Sequence, residues 1–252
     1  MSAILANSFQ EKIRGKSLYI ISGISIIIIL FLVLASELSV NNQAITSFNE
    51  LLNVSIIMAN FLSSLLAIML SLQTIPNEFE RKTTHLVLVR GIKKHEYLLS
   101  LTFSNVLISL LGLVLIYIGP IIFTLLNGRL DIFSRLILSM LILGINIILI
   151  STITSFFSVI FPLFLNGILG VVILIIGSLH NILYLLSQNM GGVFAKIVKA
   201  ILFIWPNLYQ IQRQAGNILF SKNIEIRPIL VQLLFIYIYI TMIIIFSSRK
   251  EV

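Results

Sequence analysis

An all-α polytopic membrane protein with six transmembrane helices is the fold class this sequence predicts, and three observations predict it. Of 252 residues, 58% are hydrophobic and only 10% charged, where a soluble domain carries roughly 25% charged residues. The apolar residues gather in six windows, about 17–35, 51–73, 98–126, 134–160, 162–186 and 228–247, each near the 20 or so residues that cross a bilayer. The basic residues sit beside those windows. In a soluble protein a net charge of +8 would suggest nucleic acid; here it suggests anchoring at anionic headgroups and no nucleic-acid partner. Cysteine is absent, which excludes disulfides, thiolate metal sites and a cysteine nucleophile. The chain reads as one membrane domain over residues 1–252.

The head, residues 5–16, carries Phe9 and Ile13, followed by Leu18, among Glu11, Lys12, Arg14 and Lys16. That pattern suggests a short helix lying along the inner surface; a simple basic anchor explains the same residues. The first window, Ser17 to Ala35, is too long for the apolar region of a signal peptide and lacks a small-residue cleavage site, so it is expected to cross and stay. The loop from Ser36 to Glu50 holds Glu37 and Glu50 and no Lys or Arg.

After the second window comes the most charged stretch, residues 74–97. Asn77 can cap a helix, and Glu80 stands where a capping-box partner belongs. Glu78 and Glu80 would then occupy the first turn, at the positive end of the dipole. Phe79, Thr83, Leu86, Val87 and Arg90 recur on one helical face, with Arg81 and Lys82 among them. Gly91 stands where a helix stop is wanted. Lys93, Lys94, His95, Glu96 and Tyr97 lead into the third window. Anchoring topology requires only Lys and Arg. Two capping carboxylates, an apolar stripe and a glycine stop suggest a rigid helix with a docking face, with a pure topology anchor as the alternative reading.

The third and fourth windows are long enough to tilt or to extend past the bilayer. Gly119-Pro120 should kink the third near one end. Only Phe161-Pro162 separates the fourth from the fifth, which predicts a tight helical hairpin. Head, charged loop and tail (Arg249, Lys250) hold the basic residues, so with six crossings they share the cytoplasmic side and both termini are cytoplasmic. Ser187 to Arg227 is then outside, although it holds Lys196, Lys199, Arg213, Lys222 and Arg227. Within it, residues 190–222 read as two amphipathic helices at or dipping into the surface. Val193, Ile197, Ala200, Ile201 and Ile204 form one stripe, and Leu208, Ile211, Ala215 and Leu219 another. Trp205-Pro206-Asn207 breaks between them.

Catalysis inside a membrane needs ionisable groups facing the bundle interior, and the windows offer almost none. Of three histidines, His85 and His95 fall in the charged loop and His180 near the outer end of the fifth window; no pair has metal-ligand spacing. No G-x-x-x-x-G-K-[ST] phosphate loop is present. Asn60, Gln73, Asn105, Asn146 and Asn166 are the polar residues at membrane depth, with interhelical hydrogen bonding as the default reading and lining of a path as the alternative.

Glu78-Phe-Glu80-Arg-Lys-Thr83, then Leu86-Val-Leu-Val-Arg90, then Lys94-His-Glu96-Tyr97-Leu resembles the coupling-helix region of ABC-2 type transporter permeases. The family pattern there is roughly E-x-E-R-x-T, a leucine-rich step, Pro, then R-x-E-Y. Gly91 stands for the usual Pro, Lys94 for the usual Arg, and Ser100-Leu101 for a Gly-Lys pair. The head "NSFQEKIRGKSLY" is similar to the opening of one branch of that family, and "WPNLYQI" to its PN motif after the fifth crossing.

The resemblance implies an ABC-2 (type V exporter-like) fold in the cytoplasmic membrane. It implies a second permease copy or homologue, and two ATPase subunits that bind ATP and Mg, with no cofactor on this chain. Glu78, Phe79, Glu80, Arg81, Thr83, Leu86, Val87, Arg90, Lys94 and Glu96 are then the ATPase-docking residues, and Trp205, Pro206 and Asn207 an outer gate. The function expected is a permease subunit, without catalytic or metal-binding residues, that couples ATP hydrolysis to export of a substrate. An apolar interface suits an amphiphile such as a lipid or hydrophobic peptide. Two other readings are a non-transporting membrane anchor or immunity-type partner of an ABC ATPase, and a lipid-modifying membrane enzyme.

Overall fold

The structure, a computed structural model, describes residues 2–14, 23, 26–27, 39–40, 43–44, 47–80, 93–189, 192–221 and 223–249. These are almost wholly helical. Helix α1 is Ser2–Arg14, α2 Phe48–Glu80, α3 Lys94–Leu126, α4 Phe133–Ile160, α5 Leu163–Ser178, α6 His180–Asn189, α7 Gly192–Ile204, α8 Leu208–Leu219 and α9 Ile226–Arg249. A 3₁₀ turn, Leu130–Ile132, precedes α4, and two-residue strands β1 (Ser39–Val40) and β2 (Gln43–Ala44) pair antiparallel.

Four of these helices are long and apolar enough to cross a membrane, and five if α5 and α6 count as one bent span. The first window lies outside the described residues apart from Gly23, Ile26 and Ile27, which are helical. Exposed Leu230, Leu233, Leu234 and Tyr237 on α9, with Phe103, Leu111 and Val114 on α3, leave an apolar outer surface suited to lipid.

Helix α2 starts at a capping box that the sequence reading passed over. The Glu50 N–H donates to Ser47 Oγ at 3.3 Å, and the Ser47 N–H donates to the Glu50 carboxylate at 2.9 Å. The helix then continues through Pro76 to Glu80. Asn77, Glu78, Phe79 and Glu80 therefore extend the second crossing and do not open a separate helix. Proline suits a first helical turn, which is why Pro76-Asn77 reads as a start. Here the hydrogen bond it forfeits is outweighed by packing: Thr74 and Ile75, just before it, are both buried.

Helices α2 and α3 run antiparallel. Phe48 stacks on Phe123 at one end, with ring centroids 5.4 Å apart and Arg129 placed 5.6 Å over the Phe48 ring. At the other end Ile75 packs with Tyr97, Leu98 and Leu101. Helix α3 continues through Pro120 and stops in a Schellman turn. Gly128, at φ 66°, donates to the Leu125 carbonyl and Arg129 to that of Thr124.

Helix α4 is the axis of the bundle, packed against α2, α3, α8 and α9. Leu143, Ile147, Ile150 and Ile153 are fully buried, and Ser151 bonds Ser71 at 2.8 Å. Pro162 turns the chain into α5, which folds back along α4 as the hairpin predicts: Asn166 donates to the Thr154 carbonyl at 3.2 Å. The fifth window is not one straight crossing, because it bends by 64° between α5 and α6.

The head, the charged stretch's flanks and the tail share one end of this bundle. Lys12 Nζ donates to Thr74 Oγ1 at 2.8 Å, Ile75 and Leu98 share a cluster with Phe156 and Ile243, and Phe246 meets Phe156 edge-on. In α1 the half-buried face is Leu5, Ser8, Phe9 and Lys12, while Ile13 is exposed. The helix is thus rotated from the Phe9–Ile13–Leu18 stripe, and Leu18 lies outside the described residues.

Candidate functional site

Two sets of residues stand out in the sequence, and the bundle separates them. Glu78, Phe79 and Glu80 close α2, while Lys94 and Glu96 lie in the first turn of α3 at the same end, with Glu96 placed where the dipole favours a carboxylate. Arg81, Thr83, Leu86, Val87 and Arg90 lie outside the described residues. Just inside this end a polar chain runs inward. The Thr74 hydroxyl lies 2.7 Å from the Leu70 carbonyl and 2.8 Å from Asn105 Oδ1, and Asn105 Nδ2 reaches Ser155 Oγ at 3.1 Å. A hydroxyl has a single proton, so the two acceptors share it.

Trp205, Pro206 and Asn207 occupy the middle of the bundle. Helix α7 leads to them and α8 leads away. The two halves use their apolar stripes differently. Leu208, Ile211, Ala215 and Leu219 are all buried, against α4 among others. Val193, Ile197 and Ile201 face outward, and α7 buries Ala195 and Leu202 instead. Its long apolar stripe is exposed, and its small residue meets protein.

The break between them is held by hydrogen bonds from five elements. Asn207 caps α8, its Oδ1 accepting from the Gln210 N–H at 3.1 Å. Its Nδ2 donates to His180 Nδ1 at 3.0 Å, and His180 Nε2 reaches the Leu202 carbonyl at 3.0 Å. That pattern places the imidazole proton on Nε2. Gln232 of α9 donates to the Asn207 carbonyl at 2.9 Å, Asn146 of α4 to that of Leu208 at 3.0 Å, and Asn60 of α2 to Gln212 at 3.1 Å. Asn146 lies fourteen residues from the end of α4, roughly 20 Å from the α1 end of the bundle. Trp205 points its indole N–H at the Ile173 carbonyl 3.5 Å away. Helices approach closely here: a Cβ on Gly177 would stand 2.7 Å from Leu208 Cγ and 3.0 Å from the Pro206 carbonyl. This anchoring of His180 and Leu208 explains the bend in the fifth window.

Asn60, Asn105, Asn146 and Asn166 all make interhelical hydrogen bonds; the side chain of Gln73 is outside the described residues. One feature the sequence reading missed lies beside α8. Tyr209, Gln212, Arg213, Asn217 and Phe220 follow one another on its second face, at helical spacing. With Asn53 and Ile57 of α2 they line a cavity of about 280 Å³. Among the described residues no group of three His, Asp or Glu side chains converges as a metal site would require. No protein-family model matches this chain, and no curated protein matches it.

Proposed function

We propose that this chain is the permease subunit of an ATP-binding-cassette transporter, embedded in the cytoplasmic membrane with both termini in the cytoplasm. It works as a pair with a second copy or a homologue. A separate ATPase subunit supplies ATP binding and hydrolysis, and the exported cargo is an amphiphile such as a lipid or hydrophobic peptide. One observation carries the reading: the two flanks of the charged stretch, Glu78–Glu80 and Lys94–Glu96, stand together with α1 and the end of α9 at one end of a helical bundle. The similarity to the E-x-E-R-x-T and R-x-E-Y pattern of ABC-2 permeases falls on those flanks.

On this reading the ATPase presses on the ends of α2 and α3. Force passes along α2, whose buried Asn60 touches Gln212 of α8. Closure of the ATPases would then reach the Trp205–Asn207 break through one continuous helix. The apolar outer surface and the absence of buried charge among the described residues favour cargo that enters sideways from the bilayer.

The test is co-purification with a co-expressed ABC ATPase encoded beside the chain. Phe79→Asp and Glu80→Lys should leave insertion intact and reduce ATPase recovery several-fold. Unchanged recovery for both variants would refute docking at this end.

A further inference from the structure

We infer that the cavity between α2 and α8 is a binding site for the phosphate of an anionic amphiphile, with a membrane phospholipid as its source. Helix α8 has two faces. Leu208, Ile211, Ala215 and Leu219 are packed inside the bundle. The second face does not simply meet water: Tyr209, Gln212, Arg213 and Asn217 turn toward Asn53 and enclose about 280 Å³ with it.

The chemistry of that lining selects the ligand. Arg213 is exposed, has no carboxylate partner among the described residues, and offers the planar donor fork that suits phosphate. Asn60 occupies Gln212 Oε1, which leaves the Gln212 amide N–H groups as donors. Asn53 and Tyr209 add neutral polar groups, and no Asp or Glu among the described residues lines the space. A zwitterionic head would bring its own ammonium beside Arg213 and lose part of the attraction.

Size and surroundings select the source. Whole-ligand pockets run from about 300 to 1,000 Å³, so this one holds a headgroup and leaves the chains outside. A path for them is present. Ile57 lies one turn from Asn53 at the cavity edge, Phe61 one turn further on, and both are about two-fifths exposed beside Met58. A polar cup that opens onto an apolar helix face matches a lipid and not a free anion.

The experiment is native mass spectrometry of the full chain in detergent, titrated with phosphatidylglycerol, phosphatidylcholine or inorganic phosphate. No ATPase is present, so the result is independent of the transport reading. Phosphatidylglycerol should bind at least tenfold more tightly than phosphatidylcholine. Arg213→Gln should weaken it roughly tenfold or more, and Asn53→Leu several-fold. Arg227→Gln, an exposed residue outside the cavity, should leave it unchanged; equal losses in the two Arg variants, or none in either, overturn the site. If inorganic phosphate displaces the lipid at equal concentration, the lipid as source is overturned.

Discussion

Asn207→Ala is the sharpest probe of the central break. The side chain makes two bonds that alanine cannot: it caps α8 through the Gln210 N–H, and it donates to His180 Nδ1. Losing an N-cap costs about 1 kcal/mol. An interhelical side-chain hydrogen bond inside a membrane protein is worth about 0.6 kcal/mol on average and up to about 1.7. The sum is about 1.5–2.5 kcal/mol, which for a chain of this size lowers Tm by about 3–10 °C. Thermal unfolding of the purified chain in detergent reads it. Asn207→Ser keeps a capping oxygen and loses the His180 bond, so it should recover about 1 kcal/mol of the loss. A double-mutant cycle with His180→Ala isolates the second bond, and the two single losses should add to more than the double. A stability unchanged in Asn207→Ala, or equal effects of Ala and Ser, would refute this account of the break.

Three further outcomes follow from other places in the fold. Gly177→Ala should lose about 1–3 kcal/mol, because its Cβ meets Leu208 Cγ at 2.7 Å and the Pro206 carbonyl at 3.0 Å; thermal unfolding checks it. Ser221 ends α8 at φ 55°, in the left-handed region, so Ser221→Gly should raise stability by about 1 kcal/mol in the same assay. Reporter fusions at Ser47 and Val252 should read opposite sides of the membrane, because Ser47 opens α2 at the end of the bundle far from α1 and the end of α9; two readings on the same side would contradict that arrangement.

Apolar length was legible in the sequence because helices crossing lipid must be long and nearly uncharged. The α3, α4 and α9 windows therefore land within a few residues of the helices, while α2 runs on from its window to Glu80. The α8 stripe was legible for a related reason: an amphipathic period with a Pro-Asn start leaves one way to fold. The capping box was misplaced because Asn77 and Glu80 have the same spacing as Ser47 and Glu50, and spacing alone does not tell a cap from the interior of a long helix. The α7 stripe was found at its helical spacing, and the residues that α7 buries, Ala195 and Leu202, lie off it. His180 gave no local signal at all. Its partners, Leu202 and Asn207, are 22 and 27 residues away, and only the folding of α6, α7 and α8 brings them together. The α2–α8 cavity was half visible: the Tyr209–Gln212–Arg213–Asn217 face is periodic, but its other wall comes from Asn53, on a helix 150 residues earlier.

The measurement that tests the proposed permease role most directly is the composition of the complex formed when this chain is expressed with an ABC ATPase. Light scattering and quantitative band analysis of the detergent-purified assembly should give two 28.3 kDa chains and two ATPase subunits. Where a homologous permease is encoded alongside, one copy of this chain and one homologue should replace the pair. Glu80→Lys should shift the same preparation to permease without ATPase. A chain that purifies alone and monomeric, with no ATPase to lose, would contradict the account.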